Sequence, residues 1–115
     1  MATRKKKHTC TIPHKPVAKG RPRLGRRGRV FTPQRTLDAE AAIAAAWDGP
    51  KFEGPLKVEI EFGYDYMVVH VAKYPEGSSR LRGDVDNYIK TVLDGLNGVA
   101  WEDDKQVISV FGEKK

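Results

Sequence analysis

The chain has a single cysteine, Cys10, among 115 residues, so an intrachain disulfide is excluded and the lone thiol suits a reducing cytoplasm. Placed among Thr9, Thr11 and Ile12, that thiol reads as a small buried strand residue and not as a nucleophile. No apolar run approaches the length needed to span a bilayer. The basic start Met1–Lys7 resembles the first part of a signal peptide, but the apolar stretch that should follow is missing, so a cytoplasmic protein is expected. Acidic residues are also missing from one part of the chain. Residues 1–35 contain twelve Lys or Arg and no Asp or Glu, whereas residues 36–115 hold nine basic and fifteen acidic side chains.

That segregation hides behind a formal net charge of only +6. A basic third suits a polyanion, and an acidic remainder suits something cationic; DNA together with metal ions satisfies both. A membrane surface fits less well, because the basic segment has no apolar face. The length predicts one domain over residues 8–115 with one modest core, preceded by a disordered basic tail at residues 1–7, and a homodimer would add to what so small a chain can bury.

Taken in order, His8–Ile12 is short and β-prone, and Pro13 ends it. His14 reads as an exposed residue and not a metal ligand. KPVAKGRPRLGRRGR, residues 15–29, carries seven basic residues spaced by two prolines and three glycines. Glycine lets backbone N–H groups approach phosphates, and arginine can grip a phosphate with two parallel hydrogen bonds. The segment therefore reads as a flexible or hairpin-like loop contacting the DNA backbone through Lys15, Lys19, Arg21, Arg23, Arg26, Arg27 and Arg29, the competing reading being a soluble linker. Val30–Phe31 predicts a short strand. Thr32-Pro33 offers a cap and a first-turn proline for a helix to about Trp47, packing through Leu37, Ala41, Ile43, Ala44 and Trp47. From Pro55, alternation sets Leu56, Val58, Ile60, Phe62, Tyr64 and Tyr66 on one strand face, and Met67–Val71 either extends that strand or begins another. His70 reads as structural. Gln106–Phe111 alternates weakly and reads as a closing strand.

The chemistry concentrates in RGDVDNYIKTVLDGLNGVAWEDDKQV, residues 82–107. Val85, Tyr88, Ile89, Val92, Leu93 and Leu96 follow helical spacing, so a helix is expected from Asp84 or Val85 to about Leu96, with Gly95 and Gly98 near its end. Asp84 can cap it through its carboxylate, and Asp86, Lys90 and Asp94 share one stripe at steps of four. Six carboxylates within this run would repel one another if they converged without a cation, and magnesium or manganese takes such oxygen ligands. The plainer reading makes Asp84 a cap, Asp86 a favourable charge at the helix start, and Glu102–Asp104 a solvated turn. Arg80 and Arg82 can hold a phosphate or pair with these aspartates.

Asp84-Val85-Asp86-Asn87, Lys90, Asp94 and the later Trp101-Glu102-Asp103-Asp104-Lys105-Gln106-Val107 closely resemble the D-x-D-N-x-x-K helix and W-x-D-D-x-Q-V turn of the RusA family of Holliday junction resolvases. The resemblance implies a small homodimeric, magnesium-dependent endonuclease acting on four-way DNA junctions in recombination and repair. It further implies that Asp84, Asp86 and Asp104 bind metal, with Asp103 the other candidate for the third ligand, and that Lys90 is catalytic. Manganese is a possible substitute for magnesium. A nucleoid-associated place in the cytoplasm follows from such a role.

The fold expected is α+β: a mixed, mostly antiparallel sheet of about four strands under two main helices. The alternative function is a module that binds branched or single-stranded DNA without cutting it, and a weaker one is a nuclease acting on RNA or other DNA structures.

Overall fold

A computed structural model describes residues 6–19, 23–24, 30–75 and 77–115, and at 23–24 and 30–31 it describes the backbone path alone. The chain forms two compact units, Met1–Pro75 and Glu76–Lys115. Most of the expected tail, residues 1–5, lies outside the described residues, while Lys7 is already the first residue of a strand and the Lys6 carbonyl accepts a hydrogen bond from Lys73 N at 2.8 Å.

The first unit holds β1 (Lys7–Ile12), β2 (Arg23–Leu24), β3 (Val30–Phe31), α1 (Gln34–Ala46), β4 (Leu56–Phe62) and β5 (Met67–Lys73). β1, β5 and β4 form an antiparallel sheet in that order, and β2 pairs with β3 in a separate two-stranded ribbon. The main sheet thus has three strands and not about four, and all of its pairs are antiparallel. The ribbon agrees with a hairpin-like basic segment, although residues 20–22 and 25–29 lie outside the described residues.

Register explains the core. Ile12 faces Met67 and Cys10 faces Val69 across β1 and β5, so their side chains share one face of the pleat. On it Cys10 is 2% and Ile12 1% exposed, packed with Met67 under Ile43, Ala46 and Trp47 of α1 and its end. The expected packing face of α1 was partly wrong: Thr36 and Ala39 are buried, while Leu37, Ala41 and Ala44 are exposed. In an alanine-rich helix the small side chains do not fix which face turns inward, and here Ile43 and Trp47 set the phase. Its start differs as well, since Pro33 occupies the cap position and no side chain caps the first turn.

β4 presents Leu56, Val58, Ile60 and Phe62 on the same face, facing Lys73, Val71, Val69 and Met67. These four stay exposed, Phe62 at 64%. The long alternating run stops at Phe62, and Tyr64 and Tyr66 belong to the turn into β5. Gly63 N donates to the Tyr66 carbonyl at 2.9 Å to close that turn, and a Cβ at position 63 would stand 2.0 Å from the Tyr66 ring, which only glycine avoids. The Tyr66 hydroxyl donates to the Glu61 carboxylate at 2.9 Å, which raises its pKa.

The second unit contains α2 (Val85–Leu96) and a 3-10 turn at Asp104–Gln106. The expected closing strand is not formed: residues 107–115 have no regular structure. A strand needs a ladder partner, and 107–111 pairs with no strand among the described residues. No residue of α2 is buried.

Side chains tie β1 to the end of α1: the Cys10 thiol donates to the Ala46 carbonyl at 3.4 Å, and His8 reaches past the helix. His8 Nε2 lies 2.7 Å from Asp48 Oδ1, and the His8 ring meets Trp47 edge-on at 5.1 Å between centroids. The hydrogen bond from His8 holds the Asp48 carboxyl below its ordinary value of 3.8. A carboxyl with a depressed folded-state pKa contributes stability above the unfolded value and loses it as pH falls through the folded one. Denaturant unfolding should therefore find Asp48→Asn less stable than wild type near about pH 6, with the difference shrinking as pH drops below about 4. An unchanging difference would refute the tie.

Candidate functional site

The start of α2 is organised without using the Asp84 carboxylate. Asp84 takes the cap position in extended conformation (φ −73°, ψ 140°), but its side chain makes no capping hydrogen bond, contrary to the sequence expectation. Its backbone carbonyl accepts from Asn87 N at 3.1 Å and Tyr88 N at 3.3 Å. The approach is held from elsewhere: Gly83 N donates to the Tyr88 hydroxyl at 3.0 Å, and Lys114 Nζ donates to the Gly83 carbonyl at 3.0 Å. Asp86 stands in the first turn, where the helix dipole favours a negative charge. Both aspartates are exposed.

Past α2 the chain reverses tightly. Asn97 N donates to Leu93 O, Val99 N and Ala100 N to Leu96 O, and Gly98, at φ 80°, donates to Trp101 O at 2.6 Å. The left-handed backbone is what glycine supplies at a helix end.

The 3-10 turn then divides work between two adjacent aspartates. Asp103 caps it, its Oδ1 accepting from Lys105 N at 2.8 Å. Gln106 Oε1 answers by accepting from Glu102 N at 2.8 Å and Asp103 N at 3.0 Å, which completes a reciprocal capping box. Asp104 does no capping: its Oδ1 accepts the Trp101 indole N–H at 2.7 Å, and the pair is half-buried. One Asp104 oxygen is thereby fixed, and the other has no capping duty.

Lys90 lies exposed on the face of α2 that carries Asp86 and Asp94, and no ion pair links it to either among the described residues. Arg80 and Arg82 are exposed and equally unpaired there. In the first unit Lys15 lies over the Tyr64 ring, 4.7 Å from its centroid, and Lys19 reaches Glu40 at 3.5 Å. Arg21, Arg26, Arg27 and Arg29 lie outside the described residues, and Arg23 is described by backbone alone.

Asp84, Asp86 and Asp104 are oxygen donors of the kind a hard divalent cation takes. Among the described residues, however, no three carboxylates, imidazoles or thiols stand close enough together to hold an ion. The donor chemistry fits; the gathering of the donors is not displayed.

The sequence profile described as Endodeoxyribonuclease RusA matches residues 13–115. The chain belongs to the RusA endodeoxyribonuclease family. It is also 31% identical over 116 residues to a protein of Bacillus subtilis (strain 168), "Uncharacterized protein YqaN", covering 87% of this chain and 81% of that one. No solved structure matches the chain. No helix among the described residues is long and apolar enough to cross a membrane.

Within this RusA-family chain, sequence reasoning missed four supports of the site: the capping box, Trp101, Tyr88 and Lys114. The box was readable, since Asp103 and Gln106 stand three apart, as cap and reciprocal partner do. Trp101 as the partner of Asp104 and Lys114 as the partner of Gly83 left no local signal. Asp103→Ala should lower the unfolding free energy by about 0.5–2 kcal/mol, and Asp103→Asn, which also caps, by much less. Equal losses by chemical denaturation would mean that Asp103 does not cap.

Proposed function

We propose that this chain is a magnesium-dependent endodeoxyribonuclease that cuts four-way DNA junctions in recombination and repair, with manganese able to replace magnesium. The observation that carries the reading is the free Asp84 carboxylate at the head of α2, beside Asp86, in a chain of an endodeoxyribonuclease family.

Asp84, Asp86 and Asp104 would hold the ion. Asp104 is preferred over Asp103 because Asp103 is spent on the cap. When bound, such an ion makes water a stronger nucleophile near neutral pH and offsets charge on the phosphate. The remaining roles fall to the chain's own side chains. Trp101 keeps Asp104 oriented by its indole N–H. Lys90, with no carboxylate partner among the described residues, places a cation where charge grows on the phosphate or the leaving oxygen. Arg80 and Arg82 offer planar forks to a phosphate oxygen pair. Lys15, Lys19, Arg21, Arg23, Arg26, Arg27 and Arg29 hold the DNA backbone without reading its bases.

Cuts in two strands of a junction require two sites, which a homodimer supplies. The exposed apolar residues on β4 and along α2, among them Phe62 and Val92, support a second copy as their cover. Sedimentation at micromolar concentration should give a dimer, and a monomer there would remove this part of the reading.

A synthetic four-way junction with magnesium provides the main test. Wild type should cleave it. Asp86→Asn and Asp104→Asn should fall by about a hundredfold or more and Trp101→Phe by about 10–100-fold, the usual cost of losing a ligand's supporting partner. Asp103→Asn should stay near wild type. No cleavage by wild type, with binding equal to that of Asp86→Asn, would favour a non-cutting DNA-binding module instead.

A further inference from the structure

Residues 112–115, which belong to no helix or strand, run along the head of α2 within the second unit. Gly112 lies against its first two turns, where a Cβ would stand 2.6 Å from Ile89 Cγ1 and 3.9 Å from Val85 Cγ2. Two residues on, the Lys114 ammonium donates to the carbonyls of Leu81 and Gly83 at 3.4 and 3.0 Å. The Lys115 carbonyl accepts from the Ser79 hydroxyl at 2.6 Å, and the Ser79 oxygen accepts in turn from Leu81 N at 3.0 Å. The segment thus grips the approach to Asp84 at three points.

Gly83 is held on both sides. Its N–H donates to the Tyr88 hydroxyl at 3.0 Å while its carbonyl accepts from Lys114. A Cβ at position 83 would stand 2.9 Å from that hydroxyl oxygen, so the close approach needs glycine. The Gly83 carbonyl belongs to the planar peptide that links Gly83 to Asp84, and Lys114 therefore fixes the plane from which Asp84 departs. Beyond Asp84 the next peptide is fixed too, its carbonyl accepting from Asn87 N and Tyr88 N. A residue gripped by its backbone on both sides sends its Cβ in one direction. Because the Asp84 carboxylate makes no capping bond, these main-chain contacts set where it starts from. Helix stability alone does not call for an ammonium here, since the dipole disfavours a cation at the first turn. Gly83 and Lys114 are nonetheless half-buried together, next to a helix with no buried residue.

We propose that Lys114 and Tyr88 are positioning residues for the Asp84 carboxylate: by clamping Gly83 they hold that oxygen donor in place before a divalent ion arrives. The proposal rests on the reading that Asp84 is a ligand of such an ion. Groups that orient a ligand without touching the metal raise its affinity by sparing the ion the cost of ordering the donor.

The test measures manganese binding to the full chain without DNA, by electron paramagnetic resonance of the free ion. Lys114→Met should weaken binding by about 10–100-fold, the usual cost of losing a ligand's supporting partner, and Lys114→Arg, which keeps the donors, should restore most of it. Tyr88→Phe, which keeps the ring and loses the acceptor, should weaken it in the same direction. Lys115→Met removes the same charge one residue away and should bind as wild type does. A merely structural role would lower the unfolding midpoint and leave the affinity of the folded protein unchanged. Unchanged affinity in either Lys114→Met or Tyr88→Phe overturns the proposal, as does a loss that Lys114→Arg does not restore or that Lys115→Met matches. Should Lys114→Met not fold, Tyr88→Phe decides. The outcome is separable from the nuclease reading. A wild type that binds manganese and cuts a four-way junction, with both variants unaffected, sinks the clamp alone. A wild type whose manganese affinity depends on Lys114 and Tyr88 but which never cuts sinks the nuclease alone, and one that binds no manganese sinks both.

Discussion

A carboxylate can be held ready for a ligand only when other groups carry out the local structural work it would otherwise do. At the head of α2 the Asp84 backbone carbonyl accepts from Asn87 N and Tyr88 N, while Tyr88 and Lys114 fix the preceding glycine, and the Asp84 side chain makes no capping bond. At the turn after α2 the duties fall on different residues, with Asp103 and Gln106 closing the backbone and Asp104 kept aside by an indole. Drawn around one point, as the proposed function requires, Asp84, Asp86 and Asp104 would repel one another unless a divalent cation answered them.

The same logic extends to the cations. Surface lysines and arginines gain little from isolated ion pairs, so Lys90, Arg80 and Arg82, in no ion pair among the described residues, give up little stability and would be available for phosphate in the proposed reading. In the proposed reading the basic N-terminal third would add a long-range field that raises the local concentration of DNA and weakens with salt, so that binding and chemistry would be carried by different parts of the sequence.

Much of this was legible before any coordinates. The amphipathic period of α2 marked its limits almost to the residue, because six apolar side chains at three-and-four spacing admit one reading. The position of β1 and the antiparallel character of the sheet were equally accessible. What failed shows where pattern stops carrying information. In α1 alanine supplies no amphipathic contrast, so its inward face was misplaced. After Phe62 the alternation continued by accident through a turn that Gly63 and Tyr66 close. At Gln106–Phe111 a weak β pattern formed no strand, since Gln106 belongs to the capping box and residues 107–111 pair with no strand among the described residues. In the site, residue types were readable but partners were not: nothing local says that Trp101 reaches Asp104 or that Asp84 leaves its cap bond unmade.

Under the proposed function the head of α2 and the turn at Asp104 would serve one ion. A manganese titration followed by nuclear magnetic resonance tests it directly, because a paramagnetic ion broadens only the signals near it. At low ion-to-protein ratios the amide signals of residues 84–87 and 103–105 should broaden together, and both should recover on adding excess magnesium. Broadening confined to one of the two segments, or none at either, would contradict the account.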